Sequence, residues 1–407
     1  MRAAAPVLPA ARARFPVGTL LKAALLAAAA TLYVLILVQA LGRHQDFDTY
    51  LVAGRDLLTG RPLYATFLHH PFPDPTLRPA FIYPPAFALL VAPLSLLPDG
   101  IAAGAWLLLM QAALAAATVL VVRSLRPTPA AITGIAVLTL TFFPLWVDAI
   151  QGQANLLILL LTVAGIVGVL RGRNYAALAL GAAAALKLVP LLLLGWLVVE
   201  RRWRALAYTV GGAALVTAAG VALRPSDTVT FLTQVLPQLS RGTAFYDNQS
   251  LNGVLSRLLS ANVYTQPWIA LPWEPALVAL VSLVLVAFWL IRRRGLSDLD
   301  RAFSALPLLP LLSAVTWEHH LVMLLPLLWL LVDRLQRLGW PRMETVTLGV
   351  LVAGFSVVAR WHAGPAFAAP GFRQAQTGDP LVLLTVNSLF LTTLALFLVC
   401  PWLLRSR

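Results

Sequence analysis

Apolar runs long enough to cross a lipid bilayer recur along this chain, and short arginine-rich segments separate them. Hydrophobic residues make up 60% of the 407 residues and charged residues only 11%. That composition leaves too little polar surface to cover a soluble globule of this length. We therefore expect an all-α polytopic membrane protein.

The first apolar run, 17–41, follows a basic leader that contains Arg2, Arg12 and Arg14. A stretch of roughly 25 residues exceeds the apolar region of a cleavable signal peptide, so we expect it to be retained as a membrane helix. The formal net charge is +14, but the arginines fall in clusters between apolar runs, as in cytoplasmic loops. Nucleic acid is therefore not an expected partner. The single cysteine, Cys400, excludes an intrachain disulfide and a thiolate metal site.

If the basic clusters and both termini face the cytoplasm, the apolar runs between them must come in pairs. This reasoning predicts about twelve spans in a single domain, 1–407, whose two longest loops, 42–82 and 224–273, lie outside the cell. The predicted spans are 17–41, 101–122, 129–147, 156–170, 175–187, 188–199, 205–223, 274–291, 302–317, 320–332, 345–360 and 380–403. The use of 28 arginines but two lysines is typical of a GC-rich bacterium, so we expect a bacterial cytoplasmic membrane.

Two segments do not fit simple spans. Parity requires half-length helices that meet near Lys187 and Pro190, and broken helices are tolerated where they line a cavity inside the protein. The run from Tyr83 to Leu97 is short and contains Pro84, Pro85 and Pro93. We expect it to form a juxtamembrane or re-entrant element.

Asp46 and Asp48 lie a few residues beyond the first apolar run. A carboxylate at the membrane boundary is costly, but it can act as a base on a membrane-anchored substrate. The two acids point roughly 200° apart on a helix, so only one can face a given pocket. Tyr50 shares a face with Asp46 and can orient it or contact a sugar. Alternatively, both acids are solvated loop residues or helix caps.

Lys187 interrupts an apolar run, where a lysine usually marks a substrate or ion pathway. Its compact ammonium suits a phosphate. The alternative is a lysine that snorkels to the interface.

Glu318, His319 and His320 interrupt another apolar stretch. Adjacent histidines on a helix diverge by about 100°, so they are poorly placed to bind one metal. We expect one imidazole to face a cavity, where it donates to a leaving phosphate or orients the base, and the other to pack. Alternatively, both only hydrogen-bond neighbouring helices.

Neutral amides occur in two polar stretches, and they suit sugar hydroxyls as well as helix caps. They give Gln153, Asn155, Asn248 and Gln249 as candidate substrate-binding residues. Tyr83 precedes two prolines and is expected in a fixed turn at the interface.

Several of these segments together resemble glycosyltransferase family 87, a family of the GT-C type. Each motif alone is weak, but their occurrence in the family's order is specific. The matching segments are Asp46-Phe47-Asp48-Thr49-Tyr50, Gly60-Arg61-Pro62-Leu63-Tyr64, Phe81-Ile82-Tyr83-Pro84-Pro85, Gly152-Gln153-Ala154-Asn155, Lys187-Leu188-Val189-Pro190, Asn248-Gln249-Ser250 and Trp317-Glu318-His319-His320.

The resemblance implies a GT-C-type fold and an inverting enzyme that moves a sugar, often mannose, from a polyprenyl-phosphate donor to a lipid or glycan acceptor outside the cytoplasmic membrane. It maps the general base onto Asp46 and the family's histidine region onto His319 and His320. Asp48 departs from the single-acid form expected there. Neither a metal nor another cofactor is expected. Asp48, Tyr83 and Glu318 are added to the candidate substrate-binding residues.

Two other classes share this hydropathy. A lipid-linked glycan polymerase, ligase or flippase would be expected to rely on outer-loop arginines such as Arg241 or Arg257. A secondary transporter would favour paired broken helices, whereas the sequence offers one candidate break, at Lys187.

Overall fold

The computed structural model describes residues 17–69, 79–358 and 380–405, and every regular element within these ranges is helical. Five of the described helices are long and apolar enough to cross a membrane, which confirms an all-helical protein with several candidate spans. They are Val17–Ala40, Asp99–Leu125, Trp203–Leu223, Glu274–Arg292 and Ser388–Arg405.

The other described α-helices are Gln45–Thr59, Ala65–His69, Pro85–Val91, Pro129–Thr141, Phe143–Gln151, Asn155–Leu170, Ala177–Leu186, Leu193–Val199, Pro225–Thr230, Leu236–Ser240, Leu251–Leu259, Asp298–Ser304, Leu308–Leu312, Leu325–Arg337, Arg342–Ser356 and Pro380–Val386. Short 3₁₀ segments are Leu94–Leu96, Asn174–Ala176, Val189–Leu192 and Glu318–Leu324. One π-helical turn is Phe231–Val235.

The predicted span 129–147 is a bent pair, since Pro129–Thr141 and Phe143–Gln151 meet at 51°. Counting that pair as one span raises the number of candidates to six. Several remaining apolar helices are shorter than the roughly 20 residues that cross a bilayer. The twelve-span topology therefore stays a prediction.

The prediction of one continuous span over 302–317 is wrong. The structure has two short helices there, Asp298–Ser304 and Leu308–Leu312. Pro307 lies between them, and a proline at this position has no N–H to donate and would clash with the carbonyl of Phe303. The helix therefore ends before it.

The predicted break near Lys187 is confirmed. The helix Ala177–Leu186 ends immediately before Lys187, whose backbone is extended, and a 3₁₀ segment starts at Val189. Pro190 explains the break, because its ring would clash with the carbonyl of Leu186 in a continuous helix. The lysine side chain thus projects from an interruption instead of a helix face.

The segment that follows Tyr83 contains the short helix Pro85–Val91 and the turn Leu94–Leu96, and both pack on the helix Gln45–Thr59. Neither is long enough to cross a bilayer. Whether this segment is juxtamembrane or re-entrant stays a prediction.

The helix Gln45–Thr59, which we call the first-loop helix, buries one face against aromatic side chains. Phe47 and Tyr50 are fully buried, three residues apart, as one face of a helix requires. Phe47 stacks on Trp106 with ring centroids 5.2 Å apart, and Tyr50 meets Phe87 edge-on at 4.8 Å. Such aromatic pairs contribute about 0.5–1.5 kcal/mol each beyond area burial. The helix that carries Asp46 is therefore held rigidly.

Candidate active site

A cavity of about 650 Å³ opens where several irregular segments meet. Most of its polar side chains lie at a helix end, a helix break or a loop, whereas Thr49 and Tyr50 lie within the first-loop helix. The polar lining includes Gln45, Asp46, Thr49, Tyr50, Thr66, Tyr83, Gln151, Gln153, Lys187, Ser240, Tyr246, Asp247, Ser313, Glu318, His319 and His320. Much of the remaining lining is apolar. The sequence-predicted residues Asp46, Tyr50, Tyr83, Gln153, Lys187, Glu318, His319 and His320 therefore share one cavity.

Asp46 is held by an amide that two tyrosines orient. The Gln153 side-chain N–H donates to Asp46 Oδ2. The hydroxyl oxygens of Tyr50 and Tyr83 each lie 3.1 Å from Gln153 Oε1 and 2.9 Å from each other. Because a carbonyl oxygen only accepts, this contact directs the amide nitrogen of Gln153 toward Asp46.

Gly152 explains why Gln153 reaches the first-loop helix. Its φ of +69° is in the left-handed region, and a Cβ there would lie 2.7 Å from the Cβ of Phe47. Only glycine allows both the conformation and this close approach. Trp106 Nε1 donates to the Gly152 carbonyl at 2.8 Å, which fixes the turn.

The surroundings of Asp46 suit a base that works near neutral pH. Burial raises the pKa of the Asp46 carboxyl to about 6, although the hydrogen bond from Gln153 and the charge of Lys187 both lower it. A general base is most effective when its pKa lies near the working pH. Asp46 is thus ionised at neutral pH and remains a useful proton acceptor.

Lys187 Nζ donates to Asn155 Oδ1 at 2.5 Å and to Tyr83 Oη at 3.3 Å. It also lies 5.3 Å from the centre of the Tyr83 ring. Since an ammonium has three N–H donors, one remains for a ligand in the cavity. Lys187 therefore does not snorkel to an interface as in the alternative reading of the sequence.

Both histidines line the cavity, so the expectation that only one faces it is wrong. They lie on the 3₁₀ segment Glu318–Leu324, with ring centroids 4.8 Å apart and planes at 81°. Trp317 N–H donates to His320 Nδ1 at 3.2 Å, so neutral His320 carries its proton on Nε2. His319 is 3% exposed, and neither of its ring nitrogens has a partner among the described residues. Both nitrogens are therefore buried with their hydrogen-bonding capacity unused among the described residues.

Four predicted residues lie outside the cavity lining. Asp48 is on the first-loop helix with its side chain 46% exposed, and it pairs with His44 at 2.8 Å. Asn155 is buried behind Lys187. Asn248 and Gln249 are fully buried and bond to protein.

The amides of Asn248 and Gln249 act as struts between segments. Asn248 Nδ2 donates to the carbonyls of Thr243 and Ala314, and its Oδ1 accepts from Thr316 N–H at 2.9 Å. Gln249 Nε2 donates to the Val386 carbonyl at 2.8 Å. The Asn248 bonds tie the loop before Leu251 to the chain that leads into His319, and the Gln249 bond ties it to the end of the helix Pro380–Val386.

Arg257, one of the two arginines that a ligase-type reading would favour, is also committed to the protein. It is 1% exposed and donates to the carbonyls of Phe245 and Asn248 and to Asn387 Oδ1 at 2.6–3.2 Å. We call Arg257, Asn387, Asn248 and Gln249 the Arg257 cluster. None of these four residues lines the cavity.

Sequence reasoning missed two carboxylates. Asp247 lines the cavity, and burial raises the pKa of its carboxyl to about 7. A hydrogen bond with Tyr246 and the charge of Arg257 both lower this pKa, but by less. Asp148 is 1% exposed and contacts Asn155. A carboxylate within the apolar run 129–151 was a usable signal, because such a group is costly in lipid and usually functional.

No group of three or more histidine, cysteine or acidic side chains that could hold a metal ion occurs among residues 17–69, 79–358 and 380–405. The chemistry available from the described cavity side chains is proton transfer by a carboxylate and binding of an anion by an ammonium and imidazoles.

The chain is similar to known glycosyltransferases. The sequence model of Glycosyltransferase family 87 matches residues 81–316. A polyprenol-phosphate-mannose-dependent alpha-(1-2)-phosphatidylinositol mannoside mannosyltransferase of Mycolicibacterium smegmatis is 31% identical over 312 residues, which cover 70% of this chain and 68% of that protein. The Mycobacterium tuberculosis protein of the same name is 30% identical, covering 78% and 75%. A pentamannoside mannosyltransferase of M. tuberculosis is 29% identical over the same shares.

Proposed function

This chain belongs to glycosyltransferase family 87, and from that premise we propose that it transfers a sugar, most simply mannose, from a polyprenyl-phosphate donor to a lipid or glycan acceptor. The observation that carries the proposal is one cavity in which Asp46 and Lys187 each keep hydrogen-bonding capacity for a ligand. The names of the relatives give polyprenol-phosphate mannose as their donor and phosphatidylinositol mannosides as their acceptors.

In the proposed reaction, Asp46 takes the proton of an acceptor hydroxyl as its oxygen attacks the anomeric carbon of the donor sugar. The bond between that carbon and the phosphate oxygen breaks, and its electron pair stays on the phosphate. The Lys187 ammonium and an imidazole N–H of His319 or His320 stabilise this charge. A single displacement inverts the anomeric configuration. Polyprenyl phosphate leaves without needing a second carboxylic acid to protonate it.

The apolar lining supports a lipid-linked donor. Leu188, Val189, Leu191 and Leu192 follow Lys187 directly along the cavity wall. With the donor phosphate on Lys187, the first isoprene units would contact this apolar stretch. Burial of apolar chain is worth about 0.8 kcal/mol per CH₂.

The positions of the arginines support an extracytoplasmic site. The helix Asn155–Leu170 starts behind Lys187 and ends at Arg171, so the two ends are about 24 Å apart. At the arginine end, Arg171 contacts Ser124, and Arg337 contacts the carbonyls of Leu125 and Arg126. Basic loops favour the cytoplasm. The cavity would then open on the other side of the bacterial cytoplasmic membrane.

The decisive experiment uses purified protein in lipid nanodiscs. We expect sugar transfer from polyprenyl-phosphate mannose to a phosphatidylinositol mannoside or related lipid, but none from a nucleotide-linked mannose. NMR of the product should show the inverted anomeric configuration. Transfer from the nucleotide donor, or retention of configuration, would contradict the proposal.

Sidedness is tested separately with introduced cysteines. The native Cys400 is 1% exposed and should not react. In intact cells an impermeant thiol reagent should label Thr66→Cys, which lines the cavity, but not Arg202→Cys. The reverse pattern would invert the topology while leaving the chemistry untouched.

A further inference from the structure

Asp148 lies behind the cavity and does not line it. It is on the helix Phe143–Gln151 and is 1% exposed. Its Oδ1 accepts a hydrogen bond from Asn155 Nδ2 at 2.8 Å, and its Oδ2 has no partner among the described residues. A carboxylate in such a place is costly unless a positive charge is close.

Asn155 connects this carboxylate to the cavity lysine. Its Oδ1 accepts from Lys187 Nζ at 2.5 Å, while its Nδ2 donates to Asp148. A carboxylate only accepts and an ammonium only donates, so the amide has one possible orientation. Lys187 thus donates to Asn155 and Asn155 donates to Asp148, so the three side chains form a hydrogen-bonded row in which Lys187 lines the cavity.

The ammonium of Lys187 needs a counter-charge because it is largely removed from water. Asp46 cannot supply a constant one, since in the proposed reaction it gains a proton in each cycle. Asp148 does not line the cavity, so it cannot take a proton from a substrate bound there. Its charge can persist through the cycle, including the step in which the donor phosphate leaves.

We propose that Asp148 is a positioning residue that acts through Asn155 to keep Lys187 charged and directed at the phosphate of the lipid donor. The inference rests on the proposed function, because it takes the anionic ligand of Lys187 to be that phosphate. It assigns Asn155 to the support of Lys187 and not to the sugar. Asp148 itself touches no substrate.

The variant Asp148→Asn tests the charge, because it keeps an oxygen that can accept from Asn155. We expect kcat/KM for the donor to fall roughly 10- to 100-fold, the range for losing a charged hydrogen-bond partner. KM for the acceptor should stay within about twofold, because the acceptor meets Asp46. Unchanged donor kcat/KM in the folded variant would overturn the inference.

A double variant separates the charge from mere packing. Combining Asp148→Asn with Asn155→Asp exchanges the two groups and returns a carboxylate to the row, next to Lys187. Donor kcat/KM should recover above that of Asp148→Asn. A structural role for Asp148 would not be restored by this exchange, so lack of recovery would count against the proposal even if the single variant folds poorly.

The matched control is Asp333→Asn, which removes another buried carboxylate, 4% exposed and paired with Arg337. It should leave donor kinetics unchanged. In a Lys187→Met background, Asp148→Asn should add less than about a twofold loss if the two act as a unit. A full additional loss would show that Asp148 acts by another route.

Direct binding of polyprenyl phosphate keeps this inference distinct from the proposed function. The wild type should bind it more tightly than Asp148→Asn by the same factor as the donor effect. If the wild type binds polyprenyl phosphate in this Asp148-dependent way but transfers no sugar, the function fails and the inference stands. If it transfers sugar but binding is independent of Asp148, the inference fails alone.

Discussion

Two buried polar groups of side chains, the cavity residues around Lys187 and the Arg257 cluster, use charge in opposite ways. Arg257 directs its guanidinium to protein acceptors at 2.6–3.2 Å. Lys187 uses two of its three N–H donors and Asp46 accepts through one carboxylate oxygen among the described contacts. The difference supports the proposed active site, where spare hydrogen-bonding capacity lies beside a cavity, over the Arg257 cluster, where buried charge is committed to protein acceptors.

The comparison also separates two kinds of amide. Gln153 and Gln249 are both buried, at 4% and 0% exposure. Gln153 orients Asp46 at the cavity, whereas Gln249 joins backbone segments. The same type of side chain is therefore part of the candidate site at Gln153, where its partner is Asp46, and has a structural role at Gln249, where its partners are backbone groups.

The largest effect expected from the comparison is on the base. Asp46→Asn should lower the transfer rate roughly 10²–10⁴-fold, the usual contribution of general-base catalysis, without unfolding the protein. The measurement is sugar transfer by purified enzyme from a synthetic polyprenyl-phosphate donor. The control is Asp48→Asn on the same helix, which should cost far less because Asp48 points to solvent and pairs with His44. Equal loss of rate in both variants would contradict Asp46 as the single base and would mean that Asp46 and Asp48 act together.

Arg257→Met should act mainly on stability. Removing the guanidinium leaves the buried carbonyl of Asn248 without its side-chain donor and that of Phe245 with the N–H of Asn248 alone. A buried acceptor left unsatisfied costs about 1–3 kcal/mol. We expect a lower thermal unfolding midpoint, while the folded fraction keeps the wild-type KM for the donor. A changed donor KM with unchanged stability would mean that Arg257 contacts the substrate and would favour the ligase-type reading.

Lys187→Met should differ from Arg257→Met by lowering the use of the donor as well as the stability. Donor kcat/KM should fall roughly 10- to 100-fold, because a charged partner of the phosphate is lost. Stability should fall as well, because the buried carboxylate of Asp148 loses its counter-charge. Donor kinetics and thermal unfolding on the same preparation decide it. Unchanged donor affinity would contradict the assignment of Lys187 to the phosphate.

The smallest expected effect is the pH dependence of the wild type. Because burial raises the pKa of Asp46 to about 6, and the base works only when ionised, kcat/KM should fall about tenfold per pH unit below 6. Above pH 7 the ionisation of Asp46 should no longer change kcat/KM. An acid limb near pH 4 would mean that Asp46 is not the titrating base, or that the cavity is more solvated than the structure indicates.

Much of the architecture could be read along the chain because its causes are local. The apolar runs predicted at 101–122 and 274–291 form the helices Asp99–Leu125 and Glu274–Arg292. The ends agree within two residues, except that the first helix extends three residues further, to Leu125. The break at Lys187 follows from Pro190, three residues away. Three predicted spans were read as too regular: 129–147 is a bent pair, Pro307 divides 302–317, and 380–403 is two helices.

Which polar residues act together was decided by the tertiary structure. Asp148 and Lys187 are far apart in sequence, and only the packing of two helix ends brings Asn155 between them. Both histidines line the cavity, which the angle between adjacent helical residues did not indicate. The sequence alone determined the apolar runs, the local breaks and the family motifs. A polar side chain finds its role only through the partner opposite it, and that partner comes from elsewhere in the chain.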